Sequence, residues 1–289
     1  MKKVLFSSLC CNLAQAFFFF AAYKQKRIGF TTFAMNKPQK QLTMSENYNI
    51  FKVLKFERKE TIHSAMIAAI ASYDSNGKDL FFNMLKKKAK ENVIGNAFDK
   101  KIEKLIKTID FNSNKEGHWI KNEVQLWESV ERNTGKVSVN RGRADIWIGT
   151  NRKIWNETDG KTETKQYRLI IENKINAGNQ DHQLRRYYRY LKDKRREFAG
   201  LFFLCPIFND HFKQQAIESA QKYKDKNGND KESKVDGKGR PETEFAIITY
   251  KDDIIPWLAD VKETSSGDFL KVVSDYHELV VSLVENWDK

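Results

Sequence analysis

One stretch of the chain places two oppositely charged side chains directly after an apolar run. Leu169, Ile170 and Ile171 favour a buried β-strand, and Glu172 and Lys174 follow them. Side chains two residues apart in a strand point to the same face, and their backbones are roughly 6 to 7 Å apart. The pattern therefore predicts a carboxylate and an ammonium group side by side at the end of a strand.

A second carboxylate, Asp145, lies in the preceding predicted strand. The dipeptide Asp159-Gly160 between the two strands is typical of a hairpin turn. If these two residues form the loop, Asp145 pairs with Lys174 and Trp147 pairs with Glu172. Paired residues share a face, so both carboxylates and the ammonium group are predicted on one side of the sheet unless a β-bulge intervenes.

Two neighbouring carboxylates repel each other, and burial makes each charge costlier. A hard divalent cation would offset both effects. Mg²⁺ takes one or two carboxylates, waters and phosphate oxygens, with Mn²⁺ as a substitute, and the carbonyl oxygen of Asn173 is a further candidate ligand. Asp145, Glu172 and Asn173 are therefore the predicted metal ligands. Such a cation activates a water and neutralises charge on a phosphodiester, while Lys174 positions that water or stabilises the same charge.

The order of these residues resembles the PD-(D/E)XK nuclease superfamily, and more narrowly an uncharacterised, mostly bacterial branch of it. The resemblance runs from about residue 55 to the C-terminus, and Ala144 stands where the name of the superfamily has a proline. The segments that carry it are a helix with Glu60, His63 and Ser64, the strands Arg143-Ala144-Asp145 and Ile171-Glu172-Asn173-Lys174, the pair Gln183 and Tyr187, and the late residues Ile247 to Tyr250, Asp253-Ile254 and Trp257-Leu258.

The resemblance implies an α/β fold with a restriction-endonuclease-like core, in which a mixed β-sheet in the order αβββαβ is flanked by helices. It also implies a Mg²⁺-dependent enzyme that hydrolyses DNA phosphodiester bonds, in defence against foreign DNA or in DNA repair. Asp145, Glu172 and Lys174 would be catalytic, and Gln183 would position the substrate or the water. Glu60 is either an extra carboxylate for the metal or a residue that complements the helix dipole. His63 is expected to be structural rather than a ligand.

Two other classes of protein stay open at this point. Glu-x-Lys triplets usually form solvated ion pairs, and 31% of the residues are charged, so a secreted or membrane-anchored protein with a surface ion pair is one alternative. The other is a non-catalytic nucleic-acid-binding module that retains the nuclease fold. An intact set of Asp145, Glu172 and Lys174 argues against that module, because binding alone does not need a metal.

The predicted helix at 181–194 has an apolar face and a basic stripe. The stripe contains Arg185, Arg189 and Lys192, which would contact the phosphates of DNA or form a solvated surface. DNA is thus the expected partner. Apolar helices late in the chain pack internally or pair with a second copy or a partner protein.

Residues 1–43 differ from the rest of the chain. They contain seven Lys or Arg and no Asp or Glu, so the net charge falls from +13 to +6 without them (51 − 7 = 44 basic against 38 acidic). They resemble a secretory signal or a marginal membrane anchor, or translation begins at Met35 or Met44. The last interpretation is preferred and predicts a cytoplasmic protein, with an exported or anchored protein as the alternative. Residues 44–289 are expected to form one nuclease-like domain with a mobile loop at 222–244.

Overall fold

The computed structural model divides the chain into two compact units, residues 1–48 and 49–289. It describes residues 49, 59–91, 93–94, 120–131, 137–156, 160–176, 183–191, 196–224, 230–232, 243 and 245–287. The predicted leader at 1–43 lies outside the described residues.

The described part of the second unit contains both helices and strands. The helices are α1 (Glu60–Tyr73), α2 (Ser75–Glu91), α3 (Gln183–Leu191), α4 (Asp210–Gln221), a π-helical turn (Tyr250–Ile254), α5 (Ile255–Thr264) and α6 (Gly267–Glu285). The strands are β1 (Val93–Ile94), β2 (Ile120–Glu131), β3 (Val137–Asn156), β4 (Lys161–Asn173), β5 (Arg196–Cys205), β6 (Lys222–Lys224), β7 (Asp230–Glu232) and β8 (Phe245–Thr249).

Six of these strands form one mixed sheet in the order β1-β8-β5-β4-β3-β2. β2, β3 and β4 are antiparallel neighbours, whereas β4, β5 and β8 are parallel to one another. The parallel step from β4 to β5 requires a crossover, and α3 lies within it. The predicted α/β core with a mixed sheet is confirmed, and α2 and β1 are inserted between the first helix and the three antiparallel strands.

The sheet separates two hydrophobic cores. The α1-side core lies between the sheet and helices α1, α2, α5 and α6, and the α3-side core lies between the sheet and helices α3 and α4. Alternate residues of β5 supply both, with Phe202 in the α1-side core and Phe203 in the α3-side core. In α6, Val273, Tyr276 and Val280 recur at helical spacing and are buried. Burial on both faces explains why the central strands are continuously apolar.

The hairpin between β3 and β4 differs from the prediction. Asn156 pairs with Lys161, so the connection contains four residues instead of Asp159-Gly160 alone. Gly160 has a φ of 63°, a left-handed conformation that glycine adopts without strain. The register is consequently shifted by two residues.

The segment predicted as a loop at 222–244 contains a small hairpin. β6 and β7 pair in antiparallel fashion, from Lys222↔Glu232 to Lys224↔Asp230. Thr243 is buried, and its Oγ1 donates a 3.0 Å hydrogen bond to the carbonyl oxygen of Ala220. The loop interpretation is therefore wrong for these residues, since backbone pairing can form a strand without an apolar pattern; the other residues of the segment lie outside the described part.

None of the helices within the described ranges is long and apolar enough to span a membrane.

Candidate active site

Glu172 and Lys174 lie in contact at the C-terminal end of β4. Lys174 Nζ is 2.8 Å from Glu172 Oε1, and the two side chains are 9% and 1% exposed. β4 lies inside the sheet, so its residues are covered on both faces and only its end approaches the surface. The two charges therefore form a nearly buried ion pair, with Glu172 on the same face of β4 as Ile170 of the α3-side core.

Asp145 of β3 lies beside this pair. Its Oδ2 accepts a 2.9 Å hydrogen bond from the backbone N–H of Asn173. The observed register pairs Trp147 with Ile170, and continuing it places Asp145 opposite Glu172. The predicted pairs Asp145–Lys174 and Trp147–Glu172 are wrong because the loop is two residues longer than assumed. The shift is even, so no residue changes face and the three charged groups still meet.

The strands are irregular at the level of Asp145. Ala144 packs in the α3-side core and Ile146 in the α1-side core, although residues two apart share a face in a regular strand. Opposite Asp145 lies Glu123 of β2, whose φ of 55° is uncommon for a residue other than glycine. Glu123 Oε2 also lies 2.7 Å from Nη1 of Arg143. Strained backbone of this kind concentrates at functional sites.

The electrostatics of the site favour a bound cation. Burial raises the pKa of Asp145 to about 6, although the Asn173 N–H and the charge of Lys174 lower it. Burial and the charge of Asp145 raise the pKa of Glu172 well above its usual range, against the opposing effect of Lys174. Burial lowers the pKa of Lys174, but the neighbouring carboxylates of Glu172, Glu60 and Asp145 together outweigh this effect and the net pKa is raised. The ammonium group stays charged, and one positive charge does not fully compensate two buried carboxylates.

Helix α3 supplies two polar side chains on one face, Gln183 and Tyr187, which are four residues apart. Gln183 Nε2 donates a 2.7 Å hydrogen bond to Tyr187 Oη. The hydroxyl of Tyr187 in turn donates to the carbonyl oxygen of Arg143. Burial and the neighbouring charge of Glu172 raise the pKa of Tyr187, so the hydroxyl keeps its proton. Helix α3 thus brings Gln183 and Tyr187 to the side of the sheet that carries Glu172, and the positioning role of Gln183 stays a prediction.

The oxygen atoms of this cluster fit a hard divalent cation. Gln183 Oε1 is buried and accepts no hydrogen bond from the described residues, and the buried carboxylate of Glu172 has Lys174 and the Tyr187 hydroxyl beside it. A buried acceptor without a donor is costly unless a ligand satisfies it. In the described part of the chain no three His, Cys, Asp or Glu side chains come together to hold a metal on their own. Waters and substrate oxygens would therefore complete the coordination, as is usual for Mg²⁺.

The side chains of Asn173 and Glu60 make contacts that were not part of the predictions for these residues. The Asn173 side chain faces away from the carboxylates, and only its backbone carbonyl stays a predicted ligand. Glu60 Oε1 accepts hydrogen bonds of 2.9 and 3.0 Å from the N–H groups of Ile175 and Asn176, immediately beyond β4. The carboxylate of Glu60 thus holds the end of the strand, and its role as an extra metal ligand stays a prediction. His63 is fully buried with Nδ1 3.1 Å from Tyr276 Oη, as expected of a structural histidine.

Two of the three predicted nucleic-acid contacts lie within the described residues. Arg189 is exposed on α3. Arg185 is partly buried, lies 5.9 Å from the ring of Tyr188 and donates a 3.4 Å hydrogen bond to Thr243 Oγ1. Lys192 lies outside the described part of the chain. The face that carries Arg189 is therefore the better candidate for contact with phosphates.

Sequence reasoning assigned no role to the partners of the Asn173 side chain or to the strained backbone of Glu123. Tyr250 and Ser64 carried part of the family resemblance, which is the signal that could have found them. Glu123 carried no signal, because left-handed backbone in a non-glycine residue is decided by tertiary contacts.

The site and the fold define a class of protein. A family model of the PD-(D/E)XK nuclease superfamily matches residues 48–278, and the chain belongs to this superfamily. Searches of curated proteins and of solved structures found no match. The fold resembles that of restriction endonucleases, and membership suggests nuclease activity that depends on divalent metal ions.

Proposed function

We propose that this protein is a nuclease that hydrolyses phosphodiester bonds of DNA with the help of Mg²⁺ or Mn²⁺. The observation that carries the proposal is the joint position of three buried charged groups at one strand end: Lys174 pairs with Glu172, and Asp145 accepts a hydrogen bond from the N–H of the residue between them. A cluster of this kind is costly to bury without a ligand, and its chemistry suits a cation and an anionic substrate. Superfamily membership supports the same conclusion.

In the proposed reaction the residues of the chain bind and orient. Asp145, Glu172 and the carbonyl oxygen of Asn173 would hold a divalent cation, which when bound neutralises charge on the phosphate and lowers the pKa of water. The ammonium group of Lys174 would donate hydrogen bonds to the attacking water or to a phosphate oxygen. Gln183 Oε1 is available to accept a hydrogen bond from that water.

The proposal is tested by cleavage of supercoiled and linear DNA with Mg²⁺, Mn²⁺ or EDTA. We expect metal-dependent cleavage that falls by at least about 100-fold in Lys174→Ala, because the loss of one positioned donor typically costs that much. Lys87→Ala is the matched control, since Lys87 is exposed on α2, across the sheet from α3. Cleavage of the supercoiled form, which has no ends, would indicate an endonuclease, and cleavage of the linear form alone would indicate an exonuclease. Cleavage that persists in Lys174→Ala would contradict the proposed site.

The second candidate is a nucleic-acid-binding module without catalysis. The contacts at the strand end do not favour this candidate, because binding a nucleic acid does not require two buried carboxylates. A folded protein that binds DNA but cleaves neither DNA nor RNA with any of the metals would place this candidate first.

A further inference from the structure

Asn173 stands between Glu172 and Lys174 in the sequence, but its side chain lies on the opposite face of β4. Its Nδ2 donates hydrogen bonds of 3.0 Å to Ser64 Oγ and 3.1 Å to the carbonyl oxygen of Glu60, both in α1. Its Oδ1 accepts a 2.9 Å hydrogen bond from the hydroxyl of Tyr250. Asn173 is fully buried, and asparagine is uncommon in strands. Both N–H donors of its side-chain amide, and its oxygen acceptor, nevertheless have hydrogen-bond partners.

The backbone around Asn173 is held in the same region. The N–H of Asn173 donates to Asp145, and the N–H of Lys174 donates a 2.8 Å hydrogen bond to the carbonyl oxygen of Leu204 in β5. The following two N–H groups donate to Glu60, as described above. Four consecutive N–H groups are thus bound by three different elements, β3, β5 and α1. The Asn173 side chain adds a second contact with α1 and a contact with the π-helical turn.

Tyr250, whose hydroxyl contacts Asn173, is the first residue of the π-helical turn. Thr249 caps this turn, accepting a 2.9 Å hydrogen bond from the N–H of Asp252, and the N–H of Thr249 donates 2.7 Å to Asp253 Oδ2. Single π-helical turns often occur at functional sites. The hydroxyl of Tyr250 is fully buried, and burial raises its pKa, so it remains a hydrogen-bond donor.

We propose that Asn173 is a positioning residue that, through Ser64 and Tyr250, sets the direction in which Glu172 and Lys174 point and so sets the affinity of the site for its metal. The proposal rests on the proposed function, since it assumes that Asp145 and Glu172 hold a cation. The charges of the site are untouched by this anchoring. Weakening it should therefore alter metal affinity and kcat more than the KM for DNA.

The test is metal binding to the full chain, measured by titration calorimetry with Mn²⁺ and Mg²⁺, in Tyr250→Phe. This change removes the hydroxyl that donates to Asn173 and leaves the ring. We expect metal to bind about 10-fold more weakly, as is typical when a residue that orients a metal ligand is lost. In cleavage assays kcat should fall by a similar factor while KM changes less than about twofold.

Thr243→Val is the matched control. Thr243 is also fully buried, and its hydroxyl contacts the carbonyl oxygen of Ala220 and the side chain of Arg185 on the α3 side of the sheet, away from Asn173. Similar losses of thermal stability with unequal losses of metal affinity would support the proposal. Equal metal affinities in the two variants would overturn it. Should Tyr250→Phe fail to fold, Ser64→Ala, which removes the other side-chain partner of Asn173, decides by the same comparison.

The two proposals fail in different ways. A wild-type protein that binds neither metal contradicts the proposed function, and the positioning role falls with it. A wild-type protein that binds metal, with Tyr250→Phe indistinguishable in metal affinity from Thr243→Val, contradicts the positioning role alone.

Discussion

Asp145 carries a pH dependence that its position in the site explains. Its pKa is raised from 3.8 to about 6 in the folded protein, so between these values the folded state binds more protons than the unfolded state. Stability without metal should therefore fall as pH rises from about 4 to 7, by up to about 3 kcal/mol from this group. Glu172 contributes with the same sign, and His277, whose pKa is lowered by burial, with the opposite sign.

Comparison with Asp145→Asn isolates this contribution. In EDTA the variant should be more stable than the wild type at pH 7.5, and the difference should close toward pH 4, as measured by urea denaturation. Saturating Mg²⁺ should reduce the difference at pH 7.5 by stabilising the wild type. A wild-type protein that gains stability relative to the variant between pH 4.5 and 7 without metal would show that Asp145 is not destabilised by burial.

Glu123 offers a second prediction at this scale, because its backbone is strained. Glycine adopts a φ of 55° without the clash of a side chain, so Glu123→Gly should raise the free energy of unfolding by about 1 kcal/mol. Gln125→Gly, two residues further along β2, is the control and should lower it by about 1 kcal/mol. The measurement is urea denaturation of the metal-free protein. A loss of stability in Glu123→Gly as large as in the control would mean that the Arg143 contact outweighs the strain.

At the scale of elements, α3 is both a packing helix and a candidate nucleic-acid surface. Leu184, Tyr187 and Leu191 bury one face in the α3-side core, which leaves Arg189 exposed. The crossover between parallel strands places this helix on the same side of the sheet as Glu172. Arg189 is therefore the residue of α3 at which the proposed contact with DNA phosphates is tested.

The prediction for α3 is a smaller salt dependence of DNA binding in Arg189→Ala. Each phosphate contact contributes about 0.9 to the slope of log K against log salt for duplex DNA, so the slope should decrease in magnitude by about that amount. Fluorescence anisotropy with Ca²⁺ in place of Mg²⁺ measures binding over a range of salt concentrations. Lys87→Ala, on the opposite side of the sheet, should leave the slope unchanged, and an equal change in both variants would argue against α3 as the contact surface.

At the scale of the whole molecule, the sheet order brings distant residues together. β4 lies between β3 and β5, so Asp145, Glu172 and the carbonyl oxygen of Leu204 meet at one strand end. Helices from both cores reach that end, with α1 and the π-helical turn on one side and α3 on the other. The site is therefore assembled across the boundary between the two cores and depends on both.

The sequence by itself determined what depends on neighbours along the chain. The period of two predicts that Glu172 and Lys174 share a face, and their contact confirms this prediction. The mixed α/β core also follows from local patterns, since apolar runs and amphipathic segments identify strands and helices without reference to their partners.

The tertiary structure alone decided the pairing register, the strained backbone at Glu123 and the contacts of Asn173. The predicted register was wrong because loop length depends on how the strands twist and pair, and a turn dipeptide does not specify it. Asn173 contacts Asp145, Ser64 and Tyr250 across 28, 109 and 77 residues of chain. Such contacts form only where separate elements pack, so the local periodicity of the sequence does not predict them.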